Sequence, residues 1–108
     1  LYFRVSKFLE YIHQEQALGN YLKIIEKIGK VKLLILDDLG PDVMTTQQRN
    51  IIMEIIEERY LESPTILASQ LPIEQWYAVF GEESIADAIC DRIFHNAYKI
   101  QLKGKSMR

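Results

Sequence analysis

An α/β fold built on a parallel sheet is what this chain predicts, on three observations. Two short aliphatic runs, Leu33-Leu34-Ile35-Leu36 and Thr65-Ile66-Leu67-Ala68, have strand length and sit between segments of helical periodicity. Polar residues do not alternate through either run, which predicts strands covered on both faces rather than on one. Strand-like and helical segments also succeed one another along the chain, the order that builds β-α-β units.

Each element has its own local reason. Leu1-Tyr2-Phe3-Arg4-Val5 reads as an opening strand, and Ser6 is placed to cap a helix that buries Phe8, Leu9 and Ile12. After Gly19 a second helix puts Tyr21, Ile24, Ile25 and Ile28 on one face and stops at Gly29. The strand from Val31 to Asp37 follows. Thr45 with Gln48 three residues on forms a capping box, opening a helix to about Leu61 with Ile51, Ile52, Ile55 and Ile56 inward. Glu54, Glu57 and Glu58 then face solvent. Ser63-Pro64 breaks that helix before the strand Thr65–Ala68, which ends in Ser69-Gln70. Trp76 and Phe80 anchor a short amphipathic turn, and Ser84 with Asp87 starts a last helix over Ile85–Asn96. The final strand, Ala97–Leu102, alternates Tyr98, Ile100 and Leu102 with Lys99 and Gln101, so it predicts an edge or one exposed face.

Composition narrows the function classes. The 108 residues make one domain, 48% hydrophobic and 26% charged, which is globular rather than disordered. A net charge of −2 gives no broad attraction for DNA, leaving only a local patch such as Lys99, Lys103, Lys105 and Arg108. A single cysteine, Cys90, excludes an internal disulfide and fits a reducing cytosol. His13 and His95 have no companions at zinc-ligand spacing. No apolar run approaches the roughly 20 residues that cross a bilayer. The chain opens directly on strand-like residues without Met, which reads as a cut from something longer.

The chemistry gathers at strand ends. Asp37-Asp38 closes an aliphatic strand, the place where open α/β sheets bind ligands and where P-loop nucleotidases hold Mg²⁺. Ser69-Gln70 closes the next strand, and Arg92 lies beside Asp91 on the last helix. Singly, each has a plain reading: Asp-Leu-Gly-Pro and Ser-Gln-Leu-Pro as turns, and Arg92 as a surface ion-pair partner of Asp87 or Asp91. Together, read at the same end of one sheet, they match a site for phosphate-anhydride hydrolysis: a metal acid, a water-orienting acid, a γ-phosphate sensor and a charge-stabilising arginine.

Leu34 to Arg108 resembles the C-terminal part of the IstB-type transposition helper ATPases, relatives of the DnaC helicase loaders in the AAA+ class. The Walker B run with Asp37-Asp38 carries the likeness, with Gln48-Arg49, Glu58-Arg59-Tyr60, Thr65-Ile66, Ser69-Gln70-Leu71-Pro72 and Gln75-Trp76. Most specific is Ile85-Ala86-Asp87-Ala88-Ile89, followed by Asp91-Arg92, His95-Asn96-Ala97, Leu102-Lys103-Gly104 and Ser106-Met107-Arg108. Tyr2-Phe3-Arg4 and its helix are similar to the family's second strand and helix. The resemblance implies a partial P-loop NTPase sheet, residues 1–108 forming the C-terminal portion of one AAA+-like domain. It implies ATP and Mg²⁺ as cofactors, DNA, a transposase and further copies of the chain as partners, and the bacterial cytoplasm as location. Residue by residue, Asp37 would hold Mg²⁺, Asp38 would polarise the attacking water, and Gln70 would sense the γ-phosphate, with Ser69 the alternative. Arg92 would be the arginine finger, reaching into a neighbouring subunit's nucleotide, and Arg108 would stand at sensor 2.

One departure from the family is large. No G-x-x-x-x-G-K-[ST] occurs, and Gly29-Lys30 and Gly104-Lys105 lack its context. The resemblance therefore implies an ATPase piece without its phosphate-binding loop and strand, inactive alone. That in turn predicts either collapse of the gap left beside Thr65–Ser69 or pairing with another copy. A helicase-loader ATPase for DNA replication is the nearest alternative. A receiver-like phosphoacceptor domain using Asp37 or Asp38, a strand-end Ser and Lys103 is another, against which stands the missing acidic pair on an earlier strand. A non-enzymatic interaction module is the third.

Overall fold

A computed structural model describes residues 1–81 and 83–95. The order of elements is β1 (Tyr2–Arg4), α1 (Val5–Ala17), α2 (Tyr21–Gly29), β2 (Leu34–Asp37), α3 (Thr46–Arg59), β3 (Thr65–Leu67), a 3₁₀ turn (Ile73–Gln75), α4 (Trp76–Phe80) and α5 (Glu83–His95). The sheet is parallel with order β1-β2-β3; Tyr2 lies opposite Ile35, and Ile35 opposite Ile66. The expected α/β fold with a parallel sheet is present, and its three strands are contiguous. The predicted strand Ala97–Leu102 and the basic cluster Lys99, Lys103, Lys105 and Arg108 lie outside the described residues, as does the fate of the gap beside the last strand.

The predicted helical faces form the core. Phe8, Leu9 and Ile12 of α1, Ile24, Ile25 and Ile28 of α2, and Ile51, Ile52 and Ile55 of α3 are buried with Leu34 and Leu36. Trp76 and Phe80 are buried as core anchors. Thr45 caps α3 as its sequence requires: its Oγ1 accepts from Gln48 N at 3.1 Å, and its own N–H donates to Gln48 Oε1 at 2.9 Å.

Three expectations need correction. Ser6 does not cap α1; the N-cap lies two residues earlier, at Arg4, in extended conformation and with no side-chain cap bond. Likewise α5 begins at Glu83, so Ser84 lies within it rather than ahead of it. More consequential, the described residues cover the aliphatic strands on one face and not on both. Side chains alternate across a sheet, so Phe3, Leu34, Leu36 and Leu67 share the face that packs into the core. Tyr2, Ile35, Asp37 and Ile66 share the other, where Tyr2 is 56% and Ile66 48% exposed. Among the described residues the core has gathered on one side of the sheet, leaving the Asp37 side open.

A buried arginine ties the fold at the opposite end of the strands. Arg59, the last residue of α3, is 2% exposed. Its Nη1 donates to the carbonyls of Ile28 at 2.8 Å and Val31 at 2.6 Å, its Nη2 to Pro64 O at 2.5 Å, and its Nε to Thr65 Oγ1 at 2.7 Å. None of these acceptors is a carboxylate. Burial lowers the guanidinium's pKa, while the end of α2, where helix carbonyls are unsatisfied, favours a cation.

Candidate functional site

The site is built where β2 and β3 end. Their pairing runs past the strands themselves, since Ala68 N donates to Leu36 O at 2.9 Å and Leu39 N to Ala68 O at 3.0 Å. These bonds bring Asp37-Asp38 alongside Ser69-Gln70, as expected. The turn after the acids is fixed from below. Gly40 has φ +89°, a left-handed conformation, and a Cβ on it would collide with Leu71 Cδ1. Buried Leu39 anchors the loop, and Met44 N donates to Val79 O at 2.8 Å, tying its far end to α4.

The two acids have different surroundings. Asp37 is half-buried, and its Oδ2 accepts a 2.5 Å hydrogen bond from the Tyr2 hydroxyl on the neighbouring strand. That bond raises the pKa of the Tyr2 phenol, because ionising it would place two anions together. Asp38 is exposed and has φ +65°, a left-handed conformation that Asp tolerates better than most side chains. One carboxylate is therefore oriented and partly shielded, and the other stands in solvent.

Ser69 and Gln70 also separate. Ser69 Oγ donates to Leu39 O at 2.5 Å and accepts from Leu71 N at 3.0 Å, so the hydroxyl stitches the two strand ends together. Trp76 Nε1 donates to Leu71 O at 3.1 Å and holds the same turn. Gln70 is exposed beside them.

Arg92 is not part of this cluster. Its guanidinium pairs with Glu57 of α3 at 3.3 Å, not with Asp87 or Asp91, and donates to Ala88 O at 3.4 Å. It lines a cavity of about 260 Å³ with Ile56, Arg59, Tyr60, Pro64 and Thr65, at the entry to β3. Asp37, Asp38, Ser69 and Gln70 are not among that cavity's lining residues. The expectation that all three features meet at one end of the sheet within one chain is corrected: two do. Arg108 lies outside the described residues.

Two residues gain importance that the sequence reading did not give them. Tyr2 was legible only as part of a strand, because cross-strand register is not visible in one sequence. Arg59 carries a periodic signal, lying four residues after Ile55 and seven after Ile52 on the inner stripe.

The donor set fits Mg²⁺, which is held through one or two carboxylates and otherwise keeps water and phosphate oxygens. The glycine-rich loop G-x-x-x-x-G-K-[ST], whose backbone N–H groups would cradle the phosphates, does not occur in the sequence.

The family model described as IstB-like ATP binding protein matches residues 1–108, the whole chain. A protein of Sinorhizobium fredii, named as an insertion sequence ATP-binding protein, is 41% identical over 108 residues, covering 100% of this chain and 44% of the relative. Another, from insertion sequence IS21 of Pseudomonas aeruginosa and also named as ATP-binding, is 30% identical over 95 residues, covering 88% of this chain and 35% of that protein. The chain thus spans less than half the length of these curated relatives. Among solved structures, the DnaC helicase loader superposes with a TM-score of 0.62 at 22% identity, over 84% of this chain and 56% of that one, a likeness of fold. The parallel sheet ending in paired acids and the match along its full length agree: this chain belongs to the IstB-like ATP-binding family.

Proposed function

We infer that residues 1–108 form the acid-bearing portion of a AAA+-like ATPase domain that assists a transposase on DNA. The phosphate-binding loop would come from polypeptide outside these residues. One observation carries the reading: Asp37-Asp38 ends the central strand beside the Ser69-Gln70 turn, in a chain whose relatives are named for ATP binding in insertion sequences. The open sheet face that carries Asp37 supports it, since parallel strands of this composition are ordinarily covered on both sides.

In this reading Asp37 would hold Mg²⁺, largely through water; bound there, the metal would supply charge neutralisation for the phosphates. Asp38, exposed at the end of the strand, would accept a proton from the attacking water. Gln70 is favoured over Ser69 as the γ-phosphate sensor, because the Ser69 hydroxyl is already engaged on both sides. Arg92 would act across an interface, on nucleotide held by a neighbouring copy. Its bond to Glu57 is partly exposed, so exchanging it for a phosphate costs little. DNA contact would then be summed over several copies, since a net charge of −2 gives one copy no broad attraction for DNA. No helix among the described residues is long and apolar enough to cross a membrane, and the bacterial cytoplasm is the proposed location. Relatives named from insertion sequences favour transposition over replication, and a match to this family along the whole chain displaces the receiver-like alternative.

A nucleotide titration with Mg²⁺ tests the division of the site. The intact protein should bind ATP and the isolated 108-residue chain should not. Tight binding by this chain alone contradicts the reading.

A further inference from the structure

We propose that Tyr2 is a positioning residue for the metal-binding acid: its hydroxyl fixes the Asp37 carboxylate so that Oδ1 alone is left to face Mg²⁺ or its water. The proposal rests on the assignment of Asp37 as the metal acid and goes beyond it by assigning a neighbour on a different strand.

The geometry follows from register. In the parallel pairing of β1 with β2, Tyr2 lies opposite Ile35 and Arg4 opposite Asp37. Tyr2, Ile35 and Asp37 therefore share the open face of the sheet. A tyrosine is long enough to reach forward along that face by two residues, and its hydroxyl meets Asp37 Oδ2 at 2.5 Å, the short distance of a bond to a charged acceptor. Phe3, the next residue, turns into the core, where its ring meets Phe8 at a tilt and stacks on Tyr11, with ring centroids 5.4 and 5.5 Å apart. That packing anchors β1, so the Tyr2 ring projects from a fixed strand although the ring itself is half-exposed. Asp38 has no such restraint among its described contacts and differs in backbone conformation. The pair thus consists of one aimed carboxylate and one free to meet water.

A carboxylate held by a neighbouring hydroxyl loses less rotational freedom when it takes a metal. Removing such a partner typically weakens metal binding or activity by about 10- to 100-fold. A purely structural role for Tyr2 would not discriminate metal affinity from nucleotide affinity.

The test uses the intact ATPase with ATP and with Mn²⁺ as the probe, free Mn²⁺ being followed by electron paramagnetic resonance. Tyr2→Phe keeps the ring and deletes the hydroxyl. The expected result is roughly a 10-fold weaker Mn²⁺ affinity in the nucleotide complex. Metal-free nucleotide affinity should stay unchanged, and the hydrolysis rate should be recovered at saturating metal. Tyr77→Phe, which deletes an exposed hydroxyl on α4, should change none of these. Equal Mn²⁺ affinity in Tyr2→Phe and wild type overturns the proposal while leaving the Asp37 assignment standing. If Asp37→Asn also leaves Mn²⁺ affinity unchanged, the assignment of Asp37 has failed, and the proposal falls with it.

Discussion

Arg59 and Ile28 are joined by a 2.8 Å hydrogen bond from Nη1 to the backbone carbonyl, which ties the end of α3 to the end of α2. Three more bonds from the same guanidinium reach Val31, Pro64 and Thr65, so the turns entering β2 and β3 hang on one side chain. This tie lies at the entering end of the sheet, opposite the end where Asp37-Asp38 meets Ser69-Gln70.

Arg59→Met should therefore destabilise the fold by about 3 kcal/mol, because it leaves several buried carbonyls without donors. Urea denaturation followed by circular dichroism measures this. A change below about 0.5 kcal/mol would show that water replaces the guanidinium without cost.

Thr45→Ala removes one half of the reciprocal cap on α3 and should cost about 1 kcal/mol by the same measurement. Thr45→Ser keeps the acceptor and should stay close to wild type.

Cys90 is fully buried, and burial pushes its thiol up to about 11, with nearby Asp87 adding to the effect. At pH 8 it is a neutral, shielded thiol. A maleimide should leave the native chain unlabelled and add once after denaturation in urea; rapid native labelling would contradict the packing of α5 against α4.

Tyr21 gives the fold a pH limit on the alkaline side. Burial, followed by a hydrogen bond to Glu54, pushes its pKa up to about 12 from the ordinary 10.0. The unfolded state therefore loses this proton first as pH rises, and linkage favours unfolding. The contribution is complete below pH 10 and is lost as pH climbs toward 12. Urea midpoints of wild type should fall over that window more steeply than those of Tyr21→Phe.

Much of this was legible in the sequence because it is governed by local spacing. The stripe Tyr21, Ile24, Ile25 and Ile28, the Thr45–Gln48 box and the aliphatic strand ending in Asp37-Asp38 each identify their element without tertiary information. Ser6 misled because a good capping residue loses to a strand that bends straight into its helix at Val5. Among the described residues the two-sided burial predicted for Leu33–Leu36 is met on the Leu34 and Leu36 side alone, since a single run of residues cannot say which segment covers each face. Tyr2 with Asp37, and Arg92 with Glu57, are contacts between elements remote in sequence, and no periodicity encodes them.

The most direct measurement of the central claim is ATP hydrolysis by the intact protein and its Asp38→Asn variant, with nucleotide affinity determined in parallel. The rate should fall by about 10²-fold or more, the scale of losing a positioned proton acceptor, while ATP and Mg²⁺ still bind. A variant that hydrolyses ATP at the wild-type rate would contradict the claim and place the catalytic acid elsewhere.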